Sequence, residues 1–399
     1  MLKEFTPEER KVVLSITFAV MVRMLGLFLL LPVLSPYLKT LQGSTPQLIG
    51  LAIGIYGLAQ ALLQIPFGYL SDKHGRKPII FVGMFTYAIG SLMAGFVGNI
   101  WSMVFARFIQ GFGAVSSAMI ALSADLTREE VRTRAFAHIG ASIGLTFALS
   151  LAISPVLAGE FGVPFLFFLT AFLSILALFI LMTQVPEPKV RSTEREINPS
   201  LSNITHLLKD KNQIFLNFSV GLLHAYLVLL FTVVPYELVY EYSLPKIKHW
   251  EIYLPTVLLS LILMVPAIIV AEKRKKFREV FLSAVFLLGL SFATLHFVGN
   301  FVGIVLAVLF FFLGFNMLEA LIPSLLTRLT HKDLRGLSLG FFNTTQFLGA
   351  FLGGMWGGYT LKHGYSYMTL FAMAFAIFWF FVGSLWFLGL RIPNASTRS

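Results

Sequence analysis

The chain of 399 residues contains no cysteine, and only 12% of its residues are charged. The lack of cysteine excludes disulfide bonds and cysteine-ligated metal sites. Soluble domains carry about 25% charged residues, so the low share here argues against a soluble protein. Hydrophobic residues make up 57% of the sequence instead, and they gather in runs long enough to cross a bilayer. The composition therefore predicts an integral membrane protein.

Acidic residues are scarcer than basic ones, because 19 Asp and Glu stand against 30 Lys and Arg, which gives a net charge of +11. In a membrane protein such an excess is typical of cytoplasmic loops. With the N-terminus in the cytoplasm, 24 basic residues lie on the cytoplasmic side and only four lie outside, namely Lys39, Lys246, Lys248 and Lys362. We expect both termini in the cytoplasm, a bacterial inner membrane, and no nucleic-acid partner.

Apolar segments of membrane length follow one another along the whole chain. Because backbone groups in lipid must be hydrogen-bonded within the segment, each is expected to be helical. The predicted fold is an all-α membrane protein with twelve transmembrane helices in two pseudo-symmetric six-helix halves. The segments are 12–38, 46–70, 78–98, 101–124, 134–158, 163–184, 212–238, 250–271, 278–298, 300–327, 335–361 and 365–389.

The loop after the second segment returns in the second half of the chain. Residues 68–78 read G-x-L-x-D-x-x-G-R-K-P, and a similar frame follows 200 residues later. A repeat across the midpoint of a membrane chain is typical of transporters built from two halves. The corresponding pairs are Pro66 and Pro266, Asp72 and Glu272, Lys73 and Lys273, and Arg76 and Lys276.

The repeat suggests a division into three parts. We predict an N-terminal half at 1–184 and a C-terminal half at 212–399. The segment 185–211 between them is rich in proline, serine and threonine, which favours a flexible cytoplasmic linker. The last apolar segment ends ten residues before the end of the sequence, so no soluble C-terminal domain is expected.

Three motifs identify the chain as a member of the major facilitator superfamily. The loop at 68–78 is similar to the superfamily's G-x-L-x-D-R-x-G-R-K signature, with Lys73 in place of the usual Arg. The stretch 107–113 is similar to its R-x-x-Q-G-x-G pattern. The fifth segment resembles the signature of drug:proton antiporters, with Ser154 where a glycine usually stands; its other members here are Gly140, Gly144, Pro155 and Gly159. The resemblance covers essentially the whole chain, and some members carry a further C-terminal domain that is not expected here.

The resemblance implies that the loop motif latches the two halves together in the outward-open state. Asp72 would lie near the positive end of the dipole of the eleventh helix, where a carboxylate gains about 0.3–1 kcal/mol. The alternative is that the loop only anchors at anionic headgroups. The candidate latch residues are Gly68, Asp72, Gly75, Arg76, Lys77 and Asp125.

Charged residues inside the spans are the candidates for proton coupling in a central cavity. Arg23 lies deep in the first span, where a charge costs at least about 2.5–3.5 kcal/mol and so needs a partner. Glu319 is the only carboxylate deep in a span, and His224 can titrate near neutral pH. The resemblance adds Arg107. For Glu319, His224 and Arg107 a structural role in the core is the alternative, and for Arg23 it is snorkelling to the membrane surface.

Small residues in two spans predict close helix packing or bending. They are Ser154, Pro155 and Gly159 in the fifth span and Gly349, Gly353 and Gly357 in the eleventh.

We therefore predict a secondary transporter that exports an amphipathic or apolar small molecule by alternating access in exchange for protons. It is expected to need no cofactor and to work as a monomer in the lipid bilayer. An importer or facilitator of a small metabolite is the transport alternative. A membrane-embedded enzyme is a remote one, since no cluster of nucleophile, base and metal ligands is visible, and a non-transporting sensor stays open.

Overall fold

The computed structural model describes residues 5–188, 201–298, 300–331 and 334–390. Within these residues the chain is folded into helices that run back and forth in two bundles. The helices of the N-terminal bundle are α1 (Pro7–Phe28), α2 (Leu34–Leu38), α3 (Pro46–His74), α4 (Arg76–Phe96), α5 (Ile100–Gln110), α6 (Ser116–Asp125), α7 (Glu129–Phe161) and α8 (Val163–Gln184).

The C-terminal bundle follows in the same manner, with a single 3₁₀ turn at Lys246–Lys248 before its second long helix. Its helices are α9 (Leu201–Lys209), α10 (Lys211–Tyr240), α11 (Trp250–Lys273), α12 (Phe277–Val298), α13 (Phe301–Leu329), α14 (Arg335–His363) and α15 (Tyr365–Gly389).

The helices match the predicted segments with two exceptions. Within the described residues, ten helices are long and apolar enough to cross a membrane. The helix of the first segment ends at Phe28, and the short α2 follows it after a turn. The fourth segment is split into α5 and α6 around Gly111 and Gly113, because the chain there packs closely on α3 and on the ring of Tyr87. The eleventh segment, α14, has the length of a span at 29 residues, but its run of polar residues 343–346 lowers its hydropathy.

Helix ends and turns at equivalent places in the two bundles are formed by residues about 200 positions apart in the sequence. Asn99 and Asn300, which are 201 positions apart, each cap a helix by accepting a backbone N–H bond. Gly162 and Gly364, 202 positions apart, join consecutive spans with φ angles of 80° and 100°. The third such pair is Gly75, with φ 108°, and Lys275, with φ 55°.

The eleventh segment holds the two halves together. Gly354 and Gly358 of α14 face α3, and a side chain at either position would lie 2.7 Å from an α3 backbone atom. On the other side of α14, Gly349, Gly353 and Gly357 pack against α10. Small residues at this spacing let the helix axes approach closely.

The ends of the helices near Lys39 and Lys246, predicted to face away from the cytoplasm, are called the outer end here. At this end the halves are joined by polar contacts. Ser35 Oγ donates to the carbonyl of Thr232, and Tyr240 Oη donates to the carbonyl of Pro36 over 3.2 Å. The Lys39 ammonium lies 3.7 Å from the centre of the Tyr240 ring. The structure is therefore closed at its outer end.

The predicted linker 185–211 is not irregular throughout. Its last part forms α9, where Leu207 packs against Leu337 at the start of α14. Apolar residues on one side of this short helix explain the difference from a flexible link, because they give it a face to bury. Residues 189–200 of the linker and the tail 391–399 lie outside the described residues.

Candidate functional site

Three side chains from three helices of the C-terminal half meet near the middle of α10. His224 Nε2 on α10 lies 3.8 Å from Glu319 Oε2 on α13 and 2.8 Å from Gln346 Nε2 on α14. The other ring nitrogen, Nδ1, lies 3.1 Å from the carbonyl oxygen of Val220, one turn earlier on α10. The imidazole thus touches both a carboxylate and an amide.

Glu319 is more accessible than a residue buried in a core. Its side chain is 43% exposed, whereas that of His224 is 9% exposed. The sequence led us to expect a carboxylate enclosed in low dielectric. Instead, the carboxylate lies beside a histidine and is not enclosed by the described residues.

Arg23 is held in the opposite half, with all three guanidinium nitrogens engaged. Nε donates to the carbonyl of Gly113 over 2.6 Å, Nη2 donates to Gln60 Oε1 over 2.6 Å, and Nη1 donates to Ser116 Oγ. The split between α5 and α6 makes this possible, because the Gly113 carbonyl is not used within a helix. Arg23 is 1% exposed, and Tyr87 Oη donates to its backbone carbonyl.

Arg23 and Glu319, both candidates for proton coupling, therefore do not meet in the structure. Glu319 faces His224, while the Arg23 guanidinium is bound by neutral groups of its own half. The link between them is α14. Its Gln346 contacts His224, and the ring of the next residue, Phe347, lies 5.9 Å from the Arg23 guanidinium carbon.

Arg107 lies in the interior of the N-terminal half. Its Nη1 donates to Gln110 Oε1 over 2.5 Å, and its guanidinium carbon lies 4.7 Å from the ring centre of Tyr56. Gln110 in turn donates to Ser91 Oγ over 2.8 Å, at a point where Gly90 lets α4 and α5 touch. These contacts tie α3, α4 and α5 together.

The loop motif forms a compact ionic cluster at the end of the N-terminal half opposite the outer end, which is the end predicted to face the cytoplasm. Arg76 pairs with Asp72, and its Nε lies 3.1 Å from Asp125 Oδ2 at the end of α6. It also donates to Ser71 Oγ over 3.0 Å. The side chains of Arg76 and Asp125 are 6% and 0% exposed, so the pair is buried.

The remaining motif residues shape this corner. Gly68 is buried, and its carbonyl accepts the Ser71 hydroxyl. Gly75, at φ 108°, lets the chain turn from α3 directly into α4. Lys77 Nζ donates to the carbonyls of Met182 and Val185 over 3.2 and 2.7 Å. It therefore caps the end of α8, where a cation is favoured by the helix dipole.

The fifth span contacts the other half as well as its own. Ser154 Oγ donates to the carbonyl of Leu29 just beyond the end of α1. Pro155 lies inside α7, which continues to Phe161. A side chain at Gly159 would lie 2.7 Å from Ile247 Cβ, in the 3₁₀ turn of the C-terminal half.

With this geometry the sequence can be compared with known families. The model of the Major Facilitator Superfamily matches residues 16–354. The chain belongs to the major facilitator superfamily. It is therefore a multi-pass membrane protein and a secondary transporter of a small molecule, not an enzyme.

Individual relatives agree with this assignment. The inner membrane transport protein YajR of Escherichia coli strain K12 is 38% identical over 357 residues, which are 89% of this chain and 78% of YajR. The class H tetracycline resistance protein of Pasteurella multocida is 29% identical over 196 residues, 46% of this chain and 48% of that protein.

A solved structure confirms the predicted fold. A bacterial homologue of the human lysosomal transporter Spinster, in an inward-facing and unoccupied conformation, gives a TM-score of 0.76. The match covers 98% of this chain and 100% of the other, at 15% identity.

Sequence reasoning missed several residues of the site. Gln346 and Phe347 were hidden in a helix that we regarded as a packing element, although the polar run that contains Gln346 was a usable signal. Glu237 near the outer end of α10 is a further half-buried carboxylate. It lines a cavity of about 550 Å³ together with Glu241 and His296.

Proposed function

We propose that this transporter exports an amphipathic or apolar small molecule in exchange for protons. The observation that carries the proposal is the contact between His224 and Glu319, an acid and a base 3.8 Å apart on two helices of one half. The 29% identity to a tetracycline resistance protein over about half of the chain supports a drug-like substrate.

The contacts of His224 suggest how binding of a proton changes the packing of α14. In the neutral ring, Nδ1–H donates to Val220 and Nε2 accepts an N–H of Gln346. A proton on Nε2 turns that atom into a donor, which cannot face another donor. The imidazolium then favours the Glu319 carboxylate, and Gln346 must either rotate its amide to present Oε1 to Nε2 or move away. Protonation at this site therefore changes a contact of α14, the helix between the two halves.

The cytoplasmic cluster supplies the other part of the proposed cycle. With the outer end closed, Asp72 lies in an ionic cluster of its own half. We infer that closure of the cytoplasmic end brings Asp72 against the N-terminus of α14 and holds the outward-open state. The dipole of that helix end favours a carboxylate.

We also infer the orientation of the protein, its membrane and its oligomeric state. The distribution of basic residues favours an orientation with both termini in the cytoplasm. YajR is an inner membrane protein, which supports the same membrane for this chain. The proposed cycle uses the proton gradient without a cofactor, and a single chain supplies both halves, so a monomer suffices.

The test is transport in proteoliposomes with an imposed pH gradient, screened over a panel of drug-like compounds. Glu319→Gln should lower gradient-driven flux at least about tenfold while exchange without a gradient continues, because the amide cannot carry the proton. Glu160→Gln, which changes an exposed carboxylate at the outer end of α7, is the matched control and should behave like the wild type. If flux in Glu319→Gln still depends on the gradient as in the wild type, another residue must carry the proton, and Asp125 is the next candidate.

Proton-coupled or facilitated import of a small metabolite is the second candidate. It is favoured by amide and hydroxyl side chains near the centre, among them Gln60, Gln64 and the α14 residues 343–346. The same vesicles distinguish the two: export requires flux against the direction of proton flow, whereas import requires flux along it or without it.

A further inference from the structure

One buried amide in the N-terminal half has no hydrogen-bond partner. Gln64 of α3 is 2% exposed, and neither its Nε2 nor its Oε1 is bonded to any atom of the described residues. An unsatisfied buried polar group costs about 1–3 kcal/mol, and Gln64 carries two of them. A leucine or methionine would fill the position without this cost.

A second unpaired group lies on the helix opposite. The Thr344 hydroxyl of α14 is buried and, within the described residues, has no partner. The register of the two helices brings both residues to the same interface. Gly340 of α14 lies next to Ile65, and Phe347 lies next to Gly57, so Thr344 is level with Gln60 and one helical turn from Gln64. One turn is about 5.4 Å, a distance that a small ligand can bridge.

The packing between α3 and α14 becomes looser at the level of Gln64 and Thr344. Towards the outer end, α3 and α14 touch through their backbones: a side chain at Gly54 or Gly57 would lie 2.7 Å from a carbonyl oxygen of α14. At Gly340 the nearest atom to such a side chain is 3.8 Å away and belongs to a flexible side chain, Ile65. The two unpaired groups therefore lie where the contact between the halves begins to loosen towards the cytoplasm.

Resting on the proposed export function, we propose that Gln64 and Thr344 form a hydrogen-bonding subsite for the transported molecule, with one residue from each half. A hydroxyl alone cannot satisfy an amide, which offers two N–H donors and a carbonyl acceptor. The subsite fits a ligand that presents an acceptor and a donor close together, such as a carbonyl beside a hydroxyl or a carboxamide.

The group recognised here is neutral. Arg23, which contacts α3 through Gln60, has its three nitrogens bound by Gly113, Ser116 and Gln60, and Phe347 lies over it. Neither Gln64 nor Thr344 carries charge. The substrate class is therefore an apolar molecule with neutral carbonyl and hydroxyl groups, rather than a bare hydrophobic cation.

The test compares two probes that differ in hydrogen bonding. Tetracycline carries neutral carbonyl, hydroxyl and carboxamide groups, and tetraphenylphosphonium is a hydrophobic cation with none. Equilibrium binding of both labelled probes is measured on the purified full chain for the wild type, Gln64→Met, Thr344→Val and the control Gln184→Met, which changes an exposed glutamine at the end of α8. Gln64→Met should weaken tetracycline binding about tenfold, Thr344→Val should weaken it less, and tetraphenylphosphonium binding should change by less than about twofold in all variants.

Thermal unfolding of the same proteins checks that the amide has no structural partner. Because Gln64→Met removes an unpaired polar group, its unfolding midpoint without ligand should equal or exceed that of the wild type. A lower midpoint, or an equal loss of affinity for both probes, would overturn the subsite while leaving the export proposal in place. A wild-type protein that binds no tetracycline would also overturn the subsite, whereas the export proposal is decided by the transport panel.

Discussion

The turn between the second and third spans and its repeat in the C-terminal half are both tied to the end of the fourth span of their half, but with opposite charges. In the N-terminal half the cation Arg76, the first residue of α4, pairs with the anion Asp125 at the end of the fourth span. In the C-terminal half the anion Glu272 is beside the loop, and the cation Arg328 ends the tenth span, with Nη2 2.5 Å from Glu272 Oε2. The contact between loop and helix end is kept, although the residue types are exchanged.

The two pairs differ most in their exposure to solvent. Arg76 and Asp125 are 6% and 0% exposed, whereas Arg328 and Glu272 are 30% and 36% exposed. Exposed pairs contribute about 0–1 kcal/mol. Removing one partner of a buried pair costs roughly 3–5 kcal/mol, because a charge is left behind in low dielectric. The comparison suggests that the N-terminal cluster has a role that demands a fixed geometry, while its counterpart is a surface contact.

The largest expected effect is on stability. Arg76→Ala should lower the free energy of unfolding by roughly 3–5 kcal/mol, since Asp125 and Asp72 both lose this partner. Arg328→Ala, the matched change in the repeat, should cost no more than about 1 kcal/mol. Thermal unfolding of the two variants side by side measures the difference. Equal losses would mean that burial does not distinguish the two clusters.

The next effect is on transport rather than on stability. Asp72→Asn should fold and express like the wild type but transport at least about tenfold more slowly, because it removes a charge that the proposed latch needs in one state. Glu272→Gln at the repeat position should keep most of the activity. Initial rates in proteoliposomes, corrected for the amount of reconstituted protein, decide this. Transport by Asp72→Asn at the wild-type rate would contradict the proposed latch.

The fold and the repeat could be predicted because they depend on patterns that a single sequence carries. Runs of apolar residues located the spans to within a few residues, and the 200-residue spacing anticipated that Asp72 and Glu272 lie at corresponding helix ends. The breaks after Phe28 and around Gly111 could not be predicted from hydropathy. The break around Gly111 depends on the close contact of Gly111 and Gly113 with α3 and Tyr87, which is a property of the packed bundle.

The ionisable residues of the candidate site could be predicted from the sequence. Which of them contact one another could not. A charge or histidine within an apolar run is visible in the sequence, which is why Arg23, His224 and Glu319 were found. Which of them meet depends on the rotation of each helix about its axis, and packing sets that rotation. Gln60 and Phe347 were missed for the same reason, since a lone amide or an aromatic ring in a helix gives no signal until its neighbours are known, whereas Gln346 lies in a polar run that could have indicated it.

The smallest expected effect concerns the backbone of the two loops. Gly75 and Lys275 both have positive φ, at 108° and 55°. A non-glycine residue in the left-handed region costs about 1–2 kcal/mol, so Lys275→Gly should raise the free energy of unfolding. The gain should be only about 0.5 kcal/mol, because glycine also adds entropy to the unfolded chain. Gly75→Ala should lower it by about 1–3 kcal/mol, since φ 108° with ψ 149° is accessible to glycine alone.

Unfolding midpoints of Lys275→Gly and Gly75→Ala in the same detergent test whether the first variant is more stable and the second less stable than the wild type. Lys275→Ala serves as the control, because it removes the lysine side chain and keeps the strained φ, and it should show no gain. If Lys275→Gly and Lys275→Ala behave alike, the positive φ at this position carries no measurable cost. The repeat would then have replaced glycine with lysine at no cost, and the exposed C-terminal loop would tolerate a geometry that the buried N-terminal loop does not.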